Sequence, residues 1–360
     1  MPLPDREKLK DIINFKSAAI RRSSDITGTL AEAYLTVTVI LGMTLYTLDM
    51  IQIMLASNTA AISQLYLFAF VIIPLFSVAF VYMTDSIQLK WPYTDYRPYK
   101  MLLATIPIGV LLFFVPLPIP LYLHTAFSLI AIIAVPAYLA TRYSRERRAL
   151  ERALPDFIRD VAEGRKTGLS PEKSIERLVS RPYGPLSKHV RKMGSQLSWG
   201  VELSTVIRGF TENISSWITR AVSTLLVEVV DVGGGTIRSF TDMADFSRTI
   251  NDMESDRRSA LRPFVFITYV AGVMVVMTTF ILVYMLAQPA AIGFSASTAL
   301  SSSTIDPLLT TAVVDTFIIG LVAGKLGESS IADGFKHALA LVIISVIAVT
   351  VVKQFIPIPV

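Results

Sequence analysis

The sequence predicts an all-α polytopic membrane protein with about seven transmembrane helices and a cytoplasmic six-helix bundle. Three observations predict this fold class: apolar runs of spanning length, a one-sided distribution of Lys and Arg, and a long segment of helical periodicity between the fourth and fifth runs. Apolar residues make up 52% of the 360-residue chain and charged residues 17%. This composition suits a chain that is divided between lipid and water.

Seven apolar runs are the candidate transmembrane helices. A bilayer core of about 30 Å needs about 20 apolar residues per helix. The prolines at 116, 118 and 120 predict a tight turn between the third and fourth helices, because successive prolines cannot continue a helix. The seven runs cover residues 32–57, 65–84, 101–116, 119–141, 263–287, 309–324 and 337–356.

The basic residues predict the orientation of these helices. Of the 33 Lys and Arg residues, 32 lie in segments 1–31, 85–100, 142–262 and 325–336, and only Lys353 lies on the other side. Positive charge is retained in the cytoplasm, so we expect a cell-membrane protein with its N-terminus inside and its C-terminus outside. The excess positive charge also favours contact with anionic lipid headgroups rather than with nucleic acid, for which no basic face with interleaved aromatics is seen.

Four domains follow from this orientation. Residues 1–31 form a cytoplasmic N-terminal segment, 32–141 four transmembrane helices, 142–262 a cytoplasmic bundle, and 263–360 three further transmembrane helices. The polar start of the chain lacks the apolar core of a cleaved signal peptide, so we expect the first spanning helix to direct insertion.

Residues 142–262 show helical periodicity throughout. Gly168 and Gly200 are expected to end helices, Ser170-Pro171-Glu172 to begin one, and Thr236 to cap the sixth. The apolar stripes are Leu150, Leu154, Phe157, Ile158 and Val161; Leu186, Val190, Met193 and Leu197; Leu203, Val206, Ile207 and Phe210; Ile218, Val222, Leu225 and Val229; and Phe240, Met243, Ile250 and Met253.

The sequence offers no catalytic, cofactor-binding or metal-binding constellation. Cysteine is absent, and the three histidines at 124, 189 and 337 lie in separate segments without a close acidic pair. The glycines at 233–235 lack the Lys-Ser/Thr of a phosphate-binding loop and follow no strand, so they are interpreted as a helix break. We therefore expect a non-enzymatic protein whose energy input comes from a partner.

Two kinds of charged residue remain as candidate functional sites. Asp315, and less persuasively Asp49, are acidic residues within predicted membrane helices, where a carboxylate costs about 2.5–3.5 kcal/mol on insertion scales. The alternative for Asp315 is a helix–helix or subunit contact. The other candidates are charged residues at the borders of the bundle, which predict either an interfacial belt or a docking surface for an acidic partner. They are Arg145, Arg147, Arg148, Arg165, Lys166, Glu254, Arg257 and Arg258.

Three stretches of the bundle resemble a known family. They are residues 154–164 with 167–170, residues 194–201, and residues 256–269. The first two resemble the cytoplasmic domain of the type II secretion system F / type IV pilus assembly platform family. The third is similar to its archaeal branch, the archaellum and archaeal-pilus platform proteins.

The resemblance implies a non-enzymatic scaffold beneath a growing filament. Such a scaffold would engage a cytoplasmic secretion or pilus ATPase and move pilin subunits from the bilayer into the filament. Family members usually carry two such cytoplasmic domains, which implies that a homodimer or a second platform chain supplies the other, with residues 1–31 as a possible remnant. The alternative is a multipass transporter or channel with Asp315 as its coupling residue, although no inverted repeat is visible.

The orientation predicts which introduced cysteines react from outside. A cysteine at Ser297 or Ala291 should react with a membrane-impermeant thiol reagent on intact cells, whereas one at Ser216 or Ser180 should react only after lysis. The chain has no native cysteine, so the unsubstituted protein is the blank. External labelling at Ser216 would overturn the orientation.

Overall fold

The computed structural model describes residues 6–56, 67–87, 96–212, 214, 216–231, 236–287, 302–328 and 330–355, and every long element among them is an α-helix. A short π-helical turn, Phe68–Ile72, precedes the second helix, and 3₁₀ turns lie at Leu178–Ser180 and Gly184–Leu186. The helices are α1 (Arg6–Ala56), α2 (Ile73–Ile87), α3 (Arg97–Phe114), α4 (Leu121–Lys166), α5 (Pro171–Arg177), α6 (Ser187–Ser198), α7 (Leu203–Glu212), α8 (Trp217–Asp231), α9 (Ile237–Ala287), α10 (Ser302–Glu328) and α11 (Ile331–Phe355).

The helices form two compact units. The helical domain consists of Arg142–Ser259 and the start of α1, up to Arg21. The membrane unit consists of the described residues within 22–87, 96–141 and 260–355. Three helices, α1, α4 and α9, are continuous in backbone from one unit into the other, with lengths of 51, 46 and 51 residues.

Among the described residues, seven helices are long and apolar enough to cross a membrane, which confirms the predicted all-α polytopic membrane fold. The predicted proline-rich turn is also confirmed, since α3 ends at Phe114 and α4 begins at Leu121. The predicted start of the sixth span at residue 309 is wrong: α10 begins at Ser302, and Ile305 and Leu308 are already buried. The Ser- and Thr-rich composition of this stretch concealed its two core positions.

The predicted caps order the helical domain. Ser170 Oγ accepts a hydrogen bond from the Lys173 amide at 3.2 Å, and Thr236 Oγ1 accepts one from the Ser239 amide at 3.2 Å. Gly168 and Gly200 adopt φ of 84° and 82°, the left-handed conformation that ends a helix at little cost only for glycine. The glycines at 233–235 lie outside the described residues.

A single apolar core holds the helical domain together. The predicted stripes on α4, α6, α7 and the start of α9 all contribute to it, and Leu154, Leu186, Ile207 and Phe240 are among its most buried members. The stripe on α8 is partly wrong, because Leu225 is exposed and the core is filled by Leu226 and Val227. The side chain of Val229 lies outside the described residues.

Helix α10 is the central helix of the membrane unit. The most apolar segment of α10 is 83% buried within the protein, whereas the corresponding segments of the other six candidate spans are 17–44% buried. Each of the four apolar clusters in this unit includes a residue of α10, such as Ile319, Val322, Leu321 and Val313. The surrounding helices therefore shield α10 from lipid along most of its length.

Glycines let α10 and α11 touch through their backbones. A Cβ atom placed on Gly324 would lie 2.0 Å from the Cα of Gly334, and one on Gly320 would lie 2.4 Å from the Cα of Ala338. Small residues at such spacing allow close approach in membranes, where van der Waals packing replaces the hydrophobic effect as the main attraction between helices.

Replacing Gly324 by alanine should weaken the membrane unit. The added methyl group meets backbone atoms that cannot rotate away, so we expect a loss of about 1–3 kcal/mol, the usual range for overpacking. Gly42→Ala is the matched control, because a Cβ at that position of α1 meets nothing within 4 Å. The measurement is the thermal unfolding midpoint in detergent at fixed scan rate; equal midpoints for the two variants would contradict the proposed backbone contact.

Candidate functional site

Some of the basic residues predicted to bind a partner are exposed in the helical domain, and others are half-buried. Arg145 and Lys166 are exposed on α4, and Lys166 pairs with the exposed Glu163 at 2.6 Å. Arg148 and Arg165 are half-buried. The Arg165 guanidinium donates to the Leu169 carbonyl at 2.8 Å, so it secures the turn after α4.

Glu254 is the centre of an ion-pair network on α9. Arg257 donates to its carboxylate through Nε at 3.1 Å and through Nη2 at 2.7 Å, and Arg258 Nη2 lies 3.5 Å from the same group. All three side chains are largely enclosed, with 20%, 10% and 19% of their surface exposed. The guanidinium groups of Arg257 and Arg258 therefore form hydrogen bonds within the domain, which leaves fewer donors for a partner.

Glu151 on α4 lies next to this network and also contacts the start of α8. Its buried carboxylate accepts a hydrogen bond from Ser216 Oγ at 2.8 Å and lies 3.9 Å from Arg147 Nε. Asn251 on α9 donates to the Glu151 carbonyl at 2.5 Å. We call Arg147, Glu151, Glu254, Arg257 and Arg258 the charged collar. Glu151 joins α4 to α8 and α9 by hydrogen bonds, and Arg147 and Arg258 each attract the carboxylate of the other helix.

The collar affects how the predicted labelling site at Ser216 behaves. Ser216 is buried, and its hydroxyl also accepts from the Thr219 amide at 3.2 Å, where it caps α8. A cysteine in its place would be shielded from thiol reagents even after lysis. The exposed Ser180 is therefore the informative inside position.

Polar groups of a second kind lie inside the membrane unit. Asp315 is buried in α10 next to Thr316, and the side chain of Asp49 lies outside those described. Sequence reasoning missed an ion pair between Lys325 Nζ and Asp85 Oδ1, which are 2.6 Å apart, with the lysine nearly enclosed. The two partners are 240 residues apart in the chain, so no local pattern indicates the pair.

A cleft of about 290 Å³ lies between α6 and α7 in the helical domain. Its floor is made of the buried side chains of Met193, Val206 and Phe210, and the exposed Lys188 and Lys192 stand at its edge. Sequence reasoning used only the core residues of these helices. The signal that indicates the cleft is the four-residue spacing of the two lysines, which places them on one side of α6.

His189 lines the same cleft and packs against Phe210, with ring centroids 5.4 Å apart and planes at 67°. Burial lowers the pKa of His189, and the neighbouring Lys188 and Lys192 lower it further, against an opposing effect of Glu146. The imidazole is thus held in its neutral form near pH 7. Its neutral ring adds an aromatic wall to the cleft rather than a third positive charge.

The described part of the chain contains no group of three or more His, Asp or Glu residues arranged to hold a metal ion. Its polar clusters consist of arginines and lysines that are paired with single carboxylates, together with hydroxyl groups. Such groups stabilise helix packing and present charge to partners.

Comparison with known proteins identifies the helical domain. Residues 157–284 match the family model described as type II secretion system (T2SS), protein F. The chain is also 23% identical over 194 residues to an uncharacterised protein of Methanocaldococcus jannaschii; the match covers 54% of this chain and 32% of that protein. The chain thus spans about a third of the length of this curated relative. No solved structure matches the chain.

The seven candidate spans found among the described residues and the matching domain define the chain as a multi-pass membrane protein that carries a T2SS protein F domain. Residues 157–284 are a domain of the T2SS protein F family. This confirms the family predicted from the sequence stretches of the bundle, and the match is to the family as a whole rather than to its archaeal branch. The matching region runs from the end of α4 through α9, so it includes the cleft and most of the collar.

Breaking the charged collar at Glu254 should destabilise the protein. Glu254→Gln leaves two nearly enclosed arginines without their carboxylate, and we expect a loss of about 1–3 kcal/mol. Glu163→Gln removes an exposed pair with Lys166 and should change stability by less than about 0.5 kcal/mol. Unfolding of both variants in detergent is the measurement, and equal stability would show that the collar contributes nothing beyond a surface ion pair.

Proposed function

We propose that this protein is a non-enzymatic membrane platform for an archaeal filament related to type IV pili, such as a pilus, an archaellum or a secretion filament. In this role it passes the motion of a cytoplasmic ATPase to pilin subunits as they leave the bilayer. The match to T2SS protein F over residues 157–284 carries the proposal. The similarity to a protein of a methanogenic archaeon supports the archaeal assignment.

The proposed orientation places the helical domain in the cytoplasm, with the N-terminus inside and the C-terminus outside. It is supported by the concentration of Lys and Arg on one side of the candidate spans. In this orientation the domain faces the compartment that contains ATP. The exposed basic residues Arg145 and Lys166 then lie on a surface open to cytoplasmic partners and to anionic headgroups.

Helix continuity supports the proposed transmission of force. Helices α4 and α9 run without a backbone break from the matched domain into apolar segments. The charged collar is reinforced where the Asn251 side chain of α9 meets the Glu151 carbonyl of α4, 2.5 Å apart. We propose that a displacement of the domain is passed on through these two helices.

The platform is proposed to act with further chains. We propose that a second copy, or a second platform chain, supplies a second domain of the same family. The resemblance to proteins that carry two such domains supports this arrangement.

A multipass transporter or channel is the second candidate, and the burial of Asp315 within the central helix favours it. In a transporter this carboxylate would couple ion movement to transport. In a platform it would serve helix packing. The two roles differ in whether the negative charge itself is required.

The proposed function is tested by deleting the protein in its native host. We expect loss of surface filaments by electron microscopy, retention of pilins in the membrane fraction, and recovery of the secretion ATPase with the tagged wild-type chain. Asp315→Asn, which keeps size and polarity, should restore filaments nearly as well as wild type. Filaments that persist after deletion would refute the platform role, and a requirement for the charge at Asp315 would favour the transporter.

A further inference from the structure

Helix α6 presents a stripe of polar and aromatic side chains along one side. Lys188, Lys192 and Gln196 follow at four-residue spacing and line the cleft, and Trp199 comes three residues later at the C-terminal end of the helix. Residues three and four apart lie above one another on a helix. The stripe therefore runs from positive charge to a large aromatic ring.

Trp199 is the most solvent-exposed large apolar side chain described in the structure, at 86%. Val201, two residues further on, is also exposed. Aromatic residues on a protein surface are enriched where partners bind, and tryptophan is prominent among the residues that dominate binding energy. The end of α6 thus offers an apolar contact without a covering element among the described residues.

The interior of the cleft complements a bulky apolar side chain. Met193, Val206 and Phe210 form an apolar floor, and the neutral ring of His189 forms one wall. Gly209 leaves the cleft open, since a Cβ atom on it would meet nothing within 4 Å. A volume of about 290 Å³ is at the lower limit of small-molecule sites, which favours an inserted side chain over a free cofactor.

We infer that this cleft, continued by Trp199, binds an acidic segment of a partner protein that inserts one bulky apolar side chain between α6 and α7. Carboxylates of the segment would pair with Lys188 and Lys192 while the inserted side chain covers Met193 and Phe210. The inference rests on the proposed function only for the identity of the partner, because the chemistry of the cleft does not depend on it.

The concave shape of the cleft favours a protein segment over a lipid surface. A bilayer surface is flat and would contact Lys188, Lys192 and Trp199 without reaching the buried floor. A single side chain that projects from a helix or loop reaches the floor and satisfies the charges at the same time.

The test uses the full chain in nanodiscs of zwitterionic lipid and a fluorescent helical peptide that carries Leu on one face and Glu at the positions that flank this face. We expect binding by anisotropy, and protection of Trp199 from acrylamide quenching, with Trp199→Phe as the blank. A peptide with Lys in place of Glu, and one with Ser in place of Leu, should bind at least roughly tenfold more weakly, about the effect of one lost contact.

Two variants address the cleft directly. Gly209→Leu fills it while improving helix propensity, and Lys188→Glu with Lys192→Glu reverses its charge. Each should weaken peptide binding about tenfold or more, with a thermal midpoint no lower than that of the wild type. The controls are Thr205→Leu, an exposed position on α7, and Arg191→Glu with Arg208→Glu, which makes the same charge change outside the lining; both should bind within about twofold of wild type.

The outcomes separate this inference from the proposed function. Equal peptide affinity for the cleft variants and their controls, or unchanged quenching of Trp199, would overturn the inference. Protection of Trp199 by anionic nanodiscs without peptide would overturn it in favour of lipid. The peptide could bind as expected while the tagged chain recovers no ATPase from its host. This result would support binding at the cleft and would count against the ATPase as the partner.

Discussion

The close approach of α10 and α11 is the contact on which the membrane unit depends. Glycines at 320, 324 and 334 remove the side chains that would otherwise hold the helices about 8–10 Å apart. Because α11 and its neighbours then enclose α10, this helix tolerates polar groups that lipid would reject, including Asp315 and Lys325. The cost of those groups is offset by burial against protein and, for Lys325, by the ion pair with Asp85.

The helical domain combines an ordinary apolar core with charges enclosed at one end. Residues such as Leu154 and Phe240 supply the burial that stabilises the bundle, at about 25 cal/mol per Å² of apolar surface. The collar contributes in another way: its ion pairs lie within α4 and within α9, and the hydrogen bonds of Glu151 with Ser216 and Asn251 fix the arrangement of α4, α8 and α9. Several arginines that the sequence offers as a docking surface therefore serve first to hold helices together.

Periodicity and capping chemistry were enough to predict most of the fold, because both are local. Ser170, Thr236, Gly168 and Gly200 mark helix ends through their own backbone preferences, and the stripe on α7 needs only ten residues to be recognised. Prediction failed where the deciding contact is distant. Leu225 and Leu226 differ only by their angular position on α8, the Lys325–Asp85 pair joins separate spans, and the cleft exists only once α6 and α7 are side by side.

The central position of α10 also has a consequence for biogenesis. Synthesis runs from the N-terminus, so α2 and the apolar part of α9 reach the bilayer before the helix that they pack around has left the ribosome. During that interval Val276 lacks the α10 residues that it packs against, and Asp85 lacks its partner Lys325. The packing of the membrane unit is thus completed only after α10 has been inserted.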